Sequence, residues 1–350
     1  MNLDNRSFVT ELDPHGMLDH TEGFPDQCRK ALEIAKGVKV PTLENRPSVC
    51  ALTGMGGSAA GGDFVHSLFE AHGGSPFVVT RDYHIPNYIG LGDLVFCASY
   101  SGNTEETLSC YAEAKAAGAR VIAITSGGKL AEQAEADGHT VCIVPGGQPP
   151  RTALGWMLIP VIYFCQELKL IPEQDFEKCF ALLDSIVKQF SVGGTNELAK
   201  DIATDLHGAV PIIYGLGTWQ GLIANRWRSQ INENAKQLAF FNSYPELNHN
   251  EILGWVNAPK MGVSKFVGIR LEGDDISPKM AKRAEVTERL VKDAAKFHVV
   301  QAQGDTLLEK MLTLAYIGDF VSIFLARLNG VDPESIDSIN TLKEELGKVK

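Results

Sequence analysis

Nine consecutive residues, Ser99-Tyr100-Ser101-Gly102-Asn103-Thr104-Glu105-Glu106-Thr107, gather four serine and threonine hydroxyls around one glycine. They stand between an apolar run of strand length, Leu94 to Ala98, and a stretch of helical period that begins near Thr104. Hydroxyls at Ser99, Ser101 and Thr104, beside the unpaired N–H groups of a helix start, make a neutral cradle for a dianion such as a phosphate. Helix capping is the competing reading, because Ser, Thr and Asn favour the N-cap and Glu follows as in a capping box. A cap uses one or two hydroxyls, so this concentration favours a ligand loop.

Two further segments carry weaker signals. Gly54-Met55-Gly56-Gly57-Ser58-Ala59-Ala60-Gly61-Gly62 follows a strand and opens a helix, so its backbone N–H groups can face an anion. Close strand-helix packing explains the same glycines equally well. The dinucleotide fingerprint is incomplete, with Ala59 where its last glycine belongs, and no Walker lysine follows. Pro149-Pro150-Arg151-Thr152 ends the loop Gly146-Gly147-Gln148, and Arg151 could neutralise a phosphate or a developing oxyanion. Without context, an ordinary charge flanking a helix is the favoured reading of Arg151.

The elements that must position these residues form a regular series. Apolar runs at Val49–Thr53, Pro76–Thr80, Leu94–Ser99, Arg120–Thr125 and Thr140–Val144 alternate with helical periods such as Thr104–Ala117 and Lys129–Ala136. That alternation predicts an α/β fold with a parallel sheet covered by helices. A second series follows: strands at Val210–Tyr214, Lys265–Arg270 and Phe297–Ala302, and helices at Gln220–Leu238, Lys279–Ala294 and Thr306–Leu328. Each series opens with an apolar strand entering a G-x-G turn, Gly54-Met55-Gly56 and Gly215-Leu216-Gly217, which predicts a tandem pair of similar domains. The expected organisation is an N-terminal helical arm over 1–40, a first domain over 41–171, a helical connection over 172–206 and a second domain over 207–350 with a C-terminal helix.

Composition bounds the function. The 350 residues are 44% hydrophobic and 21% charged, as in compact two-domain proteins, and the formal charge of -11 argues against nucleic-acid or anionic-membrane partners. The most apolar run, Ala153–Cys165, is broken by Pro160 and is too short to span a membrane, so a buried helix is expected there. Seven cysteines without C-x-x-C spacing predict reduced, mostly buried thiols, and Met1 to Arg6 lack the pattern of a signal peptide, so residence in the cytoplasm is expected. Histidines in no H-x-H or H-E-x-x-H arrangement predict no metal site.

Taken in order, Gly56-Gly57-Ser58-Ala59, Ser99 to Thr107, Pro150-Arg151-Thr152-Ala153, Asn232-Glu233-Asn234-Ala235-Lys236 and Glu246-Leu247-Asn248-His249-Asn250-Glu251 resemble the bifunctional phosphoglucose/phosphomannose isomerases of the sugar isomerase domain superfamily. The resemblance runs from about Pro41 to the C-terminus. It implies two tandem sugar isomerase domains, each a flavodoxin-like parallel sheet flanked by helices, in a homodimer. It also implies cofactor-free interconversion of glucose 6-phosphate, and mannose 6-phosphate, with fructose 6-phosphate through an enediol. On this likeness Ser58, Ser99, Ser101 and Thr104 hold the phosphate, and Gly57 and Arg151 line the sugar, with Arg151 stabilising the enediolate. Glu233 is the proton-transfer base, and His249, reaching into the neighbouring subunit's site, acts in ring opening with Lys343.

Sequence physics treats these last three residues differently. On a helix over Gln220–Leu238 the apolar stripe is Ile223, Ala224, Trp227, Ile231, Ala235 and Leu238, and Glu233 projects almost opposite to it, beside Arg226 and Gln237, as a solvated residue. His249 stands in a polar loop, where solvated and catalytic roles are both open. Lys343 falls within the stripe Ile336, Ile339, Leu342 and Leu346, where it either snorkels along a buried face or serves the site. A sugar-phosphate-sensing module without catalysis is the alternative function, and it would not need Glu233, His249 or Lys343. An amidotransferase-linked isomerase ranks last, because its N-terminal nucleophile cysteine has no counterpart before Cys28.

Overall fold

The computed structural model describes residues 2–255, 257–260 and 265–348. The chain divides into two compact units. One comprises Gly23–Asp184 and Gly304–Glu309; the other comprises the N-terminal residues to Glu22, Ser185–Gln303 and the residues from Lys310 onward. Each contains one parallel sheet, and each is described by itself.

Two short helices, α1 (Arg6–Val9) and α2 (Met17–Glu22), belong to the unit of the second sheet, and α3 (Phe24–Lys36) begins the unit of the first. The first sheet is built from β1 (Cys50–Thr53), β2 (Phe77–Thr80), β3 (Leu94–Ser99), β4 (Arg120–Thr125) and β5 (Thr140–Ile143). All pairings are parallel in the order β2-β1-β3-β4-β5, which is the flavodoxin-like order. β1 and β3 are buried along their whole length, as expected of strands covered on both faces. Interleaved with them are α4 (Gly56–His72), α5 (Glu105–Ala116) and α6 (Gly128–Ala136), followed by α7 (Leu154–Glu167). Tyr111 and Ala114 of α5 and Leu130 and Ala134 of α6 pack on Val95, Cys97, Val121 and Ala123 of the sheet. The apolar run around Pro160 becomes α7, which is buried almost throughout and packs against α3 and α4.

The helical stretch after Pro172 resolves into α8 (Phe176–Phe190) and α9 (Leu198–Leu206). The second sheet then follows: β6 (Val210–Gly215), α10 (Thr218–Ala235), β7 (Phe240–Ser243), α11 (Glu251–Trp255), β8 (Phe266–Glu272), α12 (Pro278–Val291), β9 (Ala295–Gln301), α13 (Leu307–Leu328) and α14 (Asp337–Leu346). Its order, β7-β6-β8-β9, is all parallel and repeats the first four strands of the other sheet. β7 has no counterpart among the strand-like runs of the sequence. It is a four-residue edge strand with Phe240 and Phe241 largely exposed, so the apolar pattern that marks buried strands is missing. Helix α10 stops three residues short of the expected Leu238, because Lys236 takes a left-handed conformation and Leu238 is exposed.

The polar face of α10 lies against α13. Arg226 donates to both carboxylate oxygens of Asp319 at 3.0 and 2.7 Å, Gln230 donates to the same carboxylate at 2.9 Å, and Asn234 donates to Ser322 at 2.9 Å. On the neighbouring side, the indole N–H of the fully buried Trp227 donates to the Leu314 carbonyl at 2.7 Å. Among the described residues α13 is the one helix long and apolar enough to cross a membrane, and its apolar window is 89% buried in the structure, which makes it a core helix.

Two outcomes follow from this packing. All seven cysteines are buried and unpaired by disulfides, and burial pushes each thiol upward, to about 12 for Cys50, Cys142 and Cys179. Ellman's reagent at pH 8 should therefore titrate almost none of them in the native protein and all seven after unfolding. Arg226→Ala leaves the Asp319 carboxylate buried without its cation and should lower the unfolding free energy by about 3–5 kcal/mol in a urea titration. An apolar replacement of both partners, Arg226→Met with Asp319→Leu, should recover most of that loss.

Candidate active site

The first sheet reverses its winding between β1 and β3, and the loops leaving the carboxyl ends of these two strands are the Gly54 and Ser99 segments. Open α/β sheets bind ligands at such a switch point. The two loops are tied together, because Tyr100 N–H donates to Ser58 Oγ at 3.2 Å. Ser99 Oγ lies 2.9 Å from Thr104 Oγ1 and accepts from Gly102 N–H at 3.1 Å, and Ser101 Oγ accepts from Asn103 N–H at 3.3 Å. Gly102 has φ of +70° and sits so close to Gly127 that a Cβ would meet its carbonyl oxygen at 1.7 Å, so only glycine closes this turn.

Capping, the competing reading of this loop, does not describe what Thr104 does. Thr104 occupies the N-cap of α5, but its side chain makes no cap hydrogen bond and turns to Ser99 instead. The first N–H groups of a twelve-residue helix therefore have no cap from that side chain, with Ser99, Ser101 and Thr104 around them. Such a turn is suited to a phosphate dianion without help from lysine.

Gly57, in the first turn of α4, lies against the turn Pro150–Thr152. A Cβ on Gly57 would stand 2.6 Å from the Pro150 carbonyl oxygen and 3.2 Å from Arg151 Cα, so the missing side chain lets the arginine segment approach. Arg151 is buried. Gln27, on α3, holds this segment from behind. Its amide donates to the Thr152 carbonyl at 2.9 Å, and its Oε1 accepts from Gly155 N–H at 2.7 Å and Trp156 N–H at 3.3 Å, capping α7. Gln148 adds a bond to Thr152 Oγ1 at 3.0 Å. Gln148 stands in the loop just before Arg151, whereas Gln27 lies 125 residues from Thr152 with no motif to mark it. The structure thus brings Gly57, Ser58, Ser99, Ser101, Thr104 and Arg151 into one neighbourhood of the first-sheet unit.

Glu233, His249 and Lys343 belong to the second-sheet unit. Glu233 is half-buried rather than solvated, because the polar face of α10 is the face that α13 covers. It stands in the last turn of α10, whose end is fixed by Lys236: Lys236 Nζ donates to the Glu233 carbonyl at 2.7 Å and to the Pro333 carbonyl at 3.1 Å. Together with Asn232, Gln237, Ser335 and Asp337, Glu233 lines a cavity of about 550 Å³. Lys343 is exposed on α14, and Ile339, Leu342 and Leu346 are 39%, 58% and 47% exposed. The buried face expected around Lys343 is therefore absent from this chain on its own, since α14 has no buried residue.

His249 is exposed at the end of the turn Glu246–His249, which follows β7 at the carboxyl edge of the second sheet. Glu233 lies at the opposite edge, because α10 starts beside the end of β6 and runs back toward the start of β7. The fifteen residue steps from Thr218 to Glu233 correspond to about 22 Å along the axis. Within one chain these two residues are held apart by the crossover itself.

Comparison with known proteins agrees with the fold and names the family. A model described as the bacterial phospho-glucose isomerase C-terminal SIS domain matches residues 195–346, and the SIS domain model matches residues 49–154. A bifunctional phosphoglucose/phosphomannose isomerase of Caldicellulosiruptor bescii is 38% identical over 95% of this chain and 100% of its own length. The protein of the same name from Aquifex aeolicus is 36% identical over 84% of this chain and 89% of its own. The C-terminal domain of glucosamine-fructose-6-phosphate aminotransferase from Francisella tularensis shares the fold, with a TM-score of 0.72 at 14% identity over 93% of this chain and 99% of that one. With that identity sustained over nearly the whole chain, the protein belongs to the bifunctional phosphoglucose/phosphomannose isomerase family.

Proposed function

We propose that the protein interconverts glucose 6-phosphate, and mannose 6-phosphate, with fructose 6-phosphate through a cis-enediol. The observation that carries this reading is the hydroxyl loop after β3, which opens α5 without a side-chain cap, in a chain whose relatives bear the name of such isomerases. The phosphate is assigned to Ser58, Ser99, Ser101, Thr104 and the first amides of α5. Glu233 takes the proton from C2 of the open-chain aldose while the C1 carbonyl becomes an enediolate oxygen. Arg151 is assigned to that oxygen, where a fixed cation acts on charge that develops in the transition state. The O2 proton then passes to O1 and Glu233 returns its proton to C1, giving the ketose with no net redox change. His249 and Lys343 move the proton at the ring oxygen when the substrate ring opens.

We also propose that the active form is a homodimer in which His249 serves the neighbouring site. The separation of Glu233 and His249 across the second sheet supports this, because an exposed imidazole on a turn remote from Glu233 within the same chain is free to act in another subunit. The seven buried thiols fit residence in the reducing cytoplasm.

Purified protein supplied with fructose 6-phosphate, without metal or nucleotide, should produce glucose 6-phosphate detectable with a coupled dehydrogenase. Glu233→Gln should lower kcat by about 10²–10⁴-fold with little change in KM. A folded wild-type protein without turnover would sink the catalytic reading and leave the sensing one.

The dimer has its own test. Glu233→Gln and His249→Ala subunits, each inactive alone, should after mixing and exchange recover about a quarter of wild-type activity, since half of random dimers are mixed and each has one intact site. Failure of such mixtures to recover any activity, with subunit exchange verified, would refute the sharing of His249.

A further inference from the structure

We infer that Glu251 is a positioning residue for His249, an inference that rests on the assignment of His249 to ring opening. The segment carrying His249 is exposed at its tip and anchored on both sides. Before the histidine, Leu247 is fully buried and Asn248 donates to Thr287 Oγ1 of α12 at 2.8 Å. After it, Asn250 Oδ1 accepts from Glu251 N–H at 2.6 Å, and Asn250 Nδ2 donates to Glu246 Oε1 at 2.7 Å, closing the turn on itself.

Glu251 supplies the link to the sheet. One carboxylate oxygen accepts from the hydroxyl of Tyr214 on β6, and the other accepts from Asn242 Nδ2 on β7 at 2.6 Å. Trp255, one turn further along α11, donates its indole N–H to the same Tyr214 hydroxyl at 2.8 Å. Tyr214 is fully buried, and burial together with the Glu251 charge keeps its hydroxyl protonated and donating. The carboxylate therefore has a donor on each of two adjacent strands, which fixes α11 and, two residues before it, His249. A helix of five residues has little stability of its own, so this network decides where the imidazole stands.

Glu251→Gln preserves size but keeps only one acceptor, so its amide N–H₂ must face either Asn242 Nδ2 or the Tyr214 hydroxyl, both of which donate to the carboxylate. Asn242→Asp in the same chain restores an acceptor opposite it. The test measures kcat/KM for glucose 6-phosphate and its isotope effect with deuterium at C2. Glu251→Gln is expected to lower kcat/KM about tenfold and to drive the isotope effect toward unity, because ring opening then limits the rate before the C2 proton moves. The double variant Asn242→Asp/Glu251→Gln is expected to regain most of both.

His249→Ala is the reference for the underlying assignment. If it keeps wild-type activity, His249 has no part in ring opening and that reading fails. If it loses activity while Glu251→Gln does not, or if Glu251→Gln loses activity with an unchanged isotope effect, Glu251 does not position His249. Should Glu251→Gln fold poorly, Tyr214→Phe, which removes one donor and leaves the carboxylate, must shift the isotope effect in the same direction, and an unshifted value overturns the proposal.

Discussion

The second-sheet unit depends on a carboxylate buried under α10. Asp319 is removed from water on α13, which pushes its carboxyl upward, and the Arg226 guanidinium and the Gln230 amide offset that cost through three hydrogen bonds. The rotation of α10 about its own axis follows, since any other setting would bury the carboxylate unpaired. With Arg226, Gln230 and Asn234 committed to α13, Glu233 is left at the margin of the seam, half-buried and beside a cavity. A base for carbon acids needs such a place: desolvated on one side, open to substrate on the other.

The two sheets share topology but not chemistry. At the switch point of the first, the hydroxyls of Ser99 and Thr104 meet beside the start of α5, which the Thr104 side chain leaves uncapped. In the second, the turn after β6, which corresponds to the Gly54 turn, has Gln220 buried with its side chain folded back against Gly217. The loop after β8, the counterpart of the Ser99 loop, carries Asp274 paired with Lys310, and an acidic group at that place opposes an anion. The tandem repeat is thus a repeat of backbone, and the loops at the two switch points differ in their side chains.

The strands and helices were legible because parallel strands buried on both faces read as unbroken apolar runs, and the tandem G-x-G turns marked the repeat. β7 escaped because an edge strand of four residues with exposed phenylalanines has no such signature. The Ser99 loop was legible as chemistry, since a cluster of hydroxyls at a helix start is unusual by composition alone. Glu233 was not. Helical periodicity separates apolar from polar faces, and it cannot tell a polar face covered by another polar helix from one covered by water. Only the partner's sequence, Asp319 and Ser322 nearly ninety residues away, carries that information. Lys343 shows the reverse error: a stripe of isoleucine and leucine reads as buried, yet α14 leaves it exposed in the single chain.

An acidic protein that holds a dianion must confine its positive potential. With a formal charge of -11, long-range attraction works against the ligand, and at physiological salt that field is screened beyond about 8 Å. Attraction then has to come from groups in contact: oriented N–H dipoles, hydroxyl protons, and a buried arginine set beside them by the absence of a side chain at Gly57. Of the groups just named Arg151 alone carries a full charge, and in the proposed mechanism that charge acts on the oxyanion that forms during reaction. In that proposed mechanism the hydroxyl loop and Arg151 are two parts of one arrangement, with dipoles supplying binding and the charge serving catalysis.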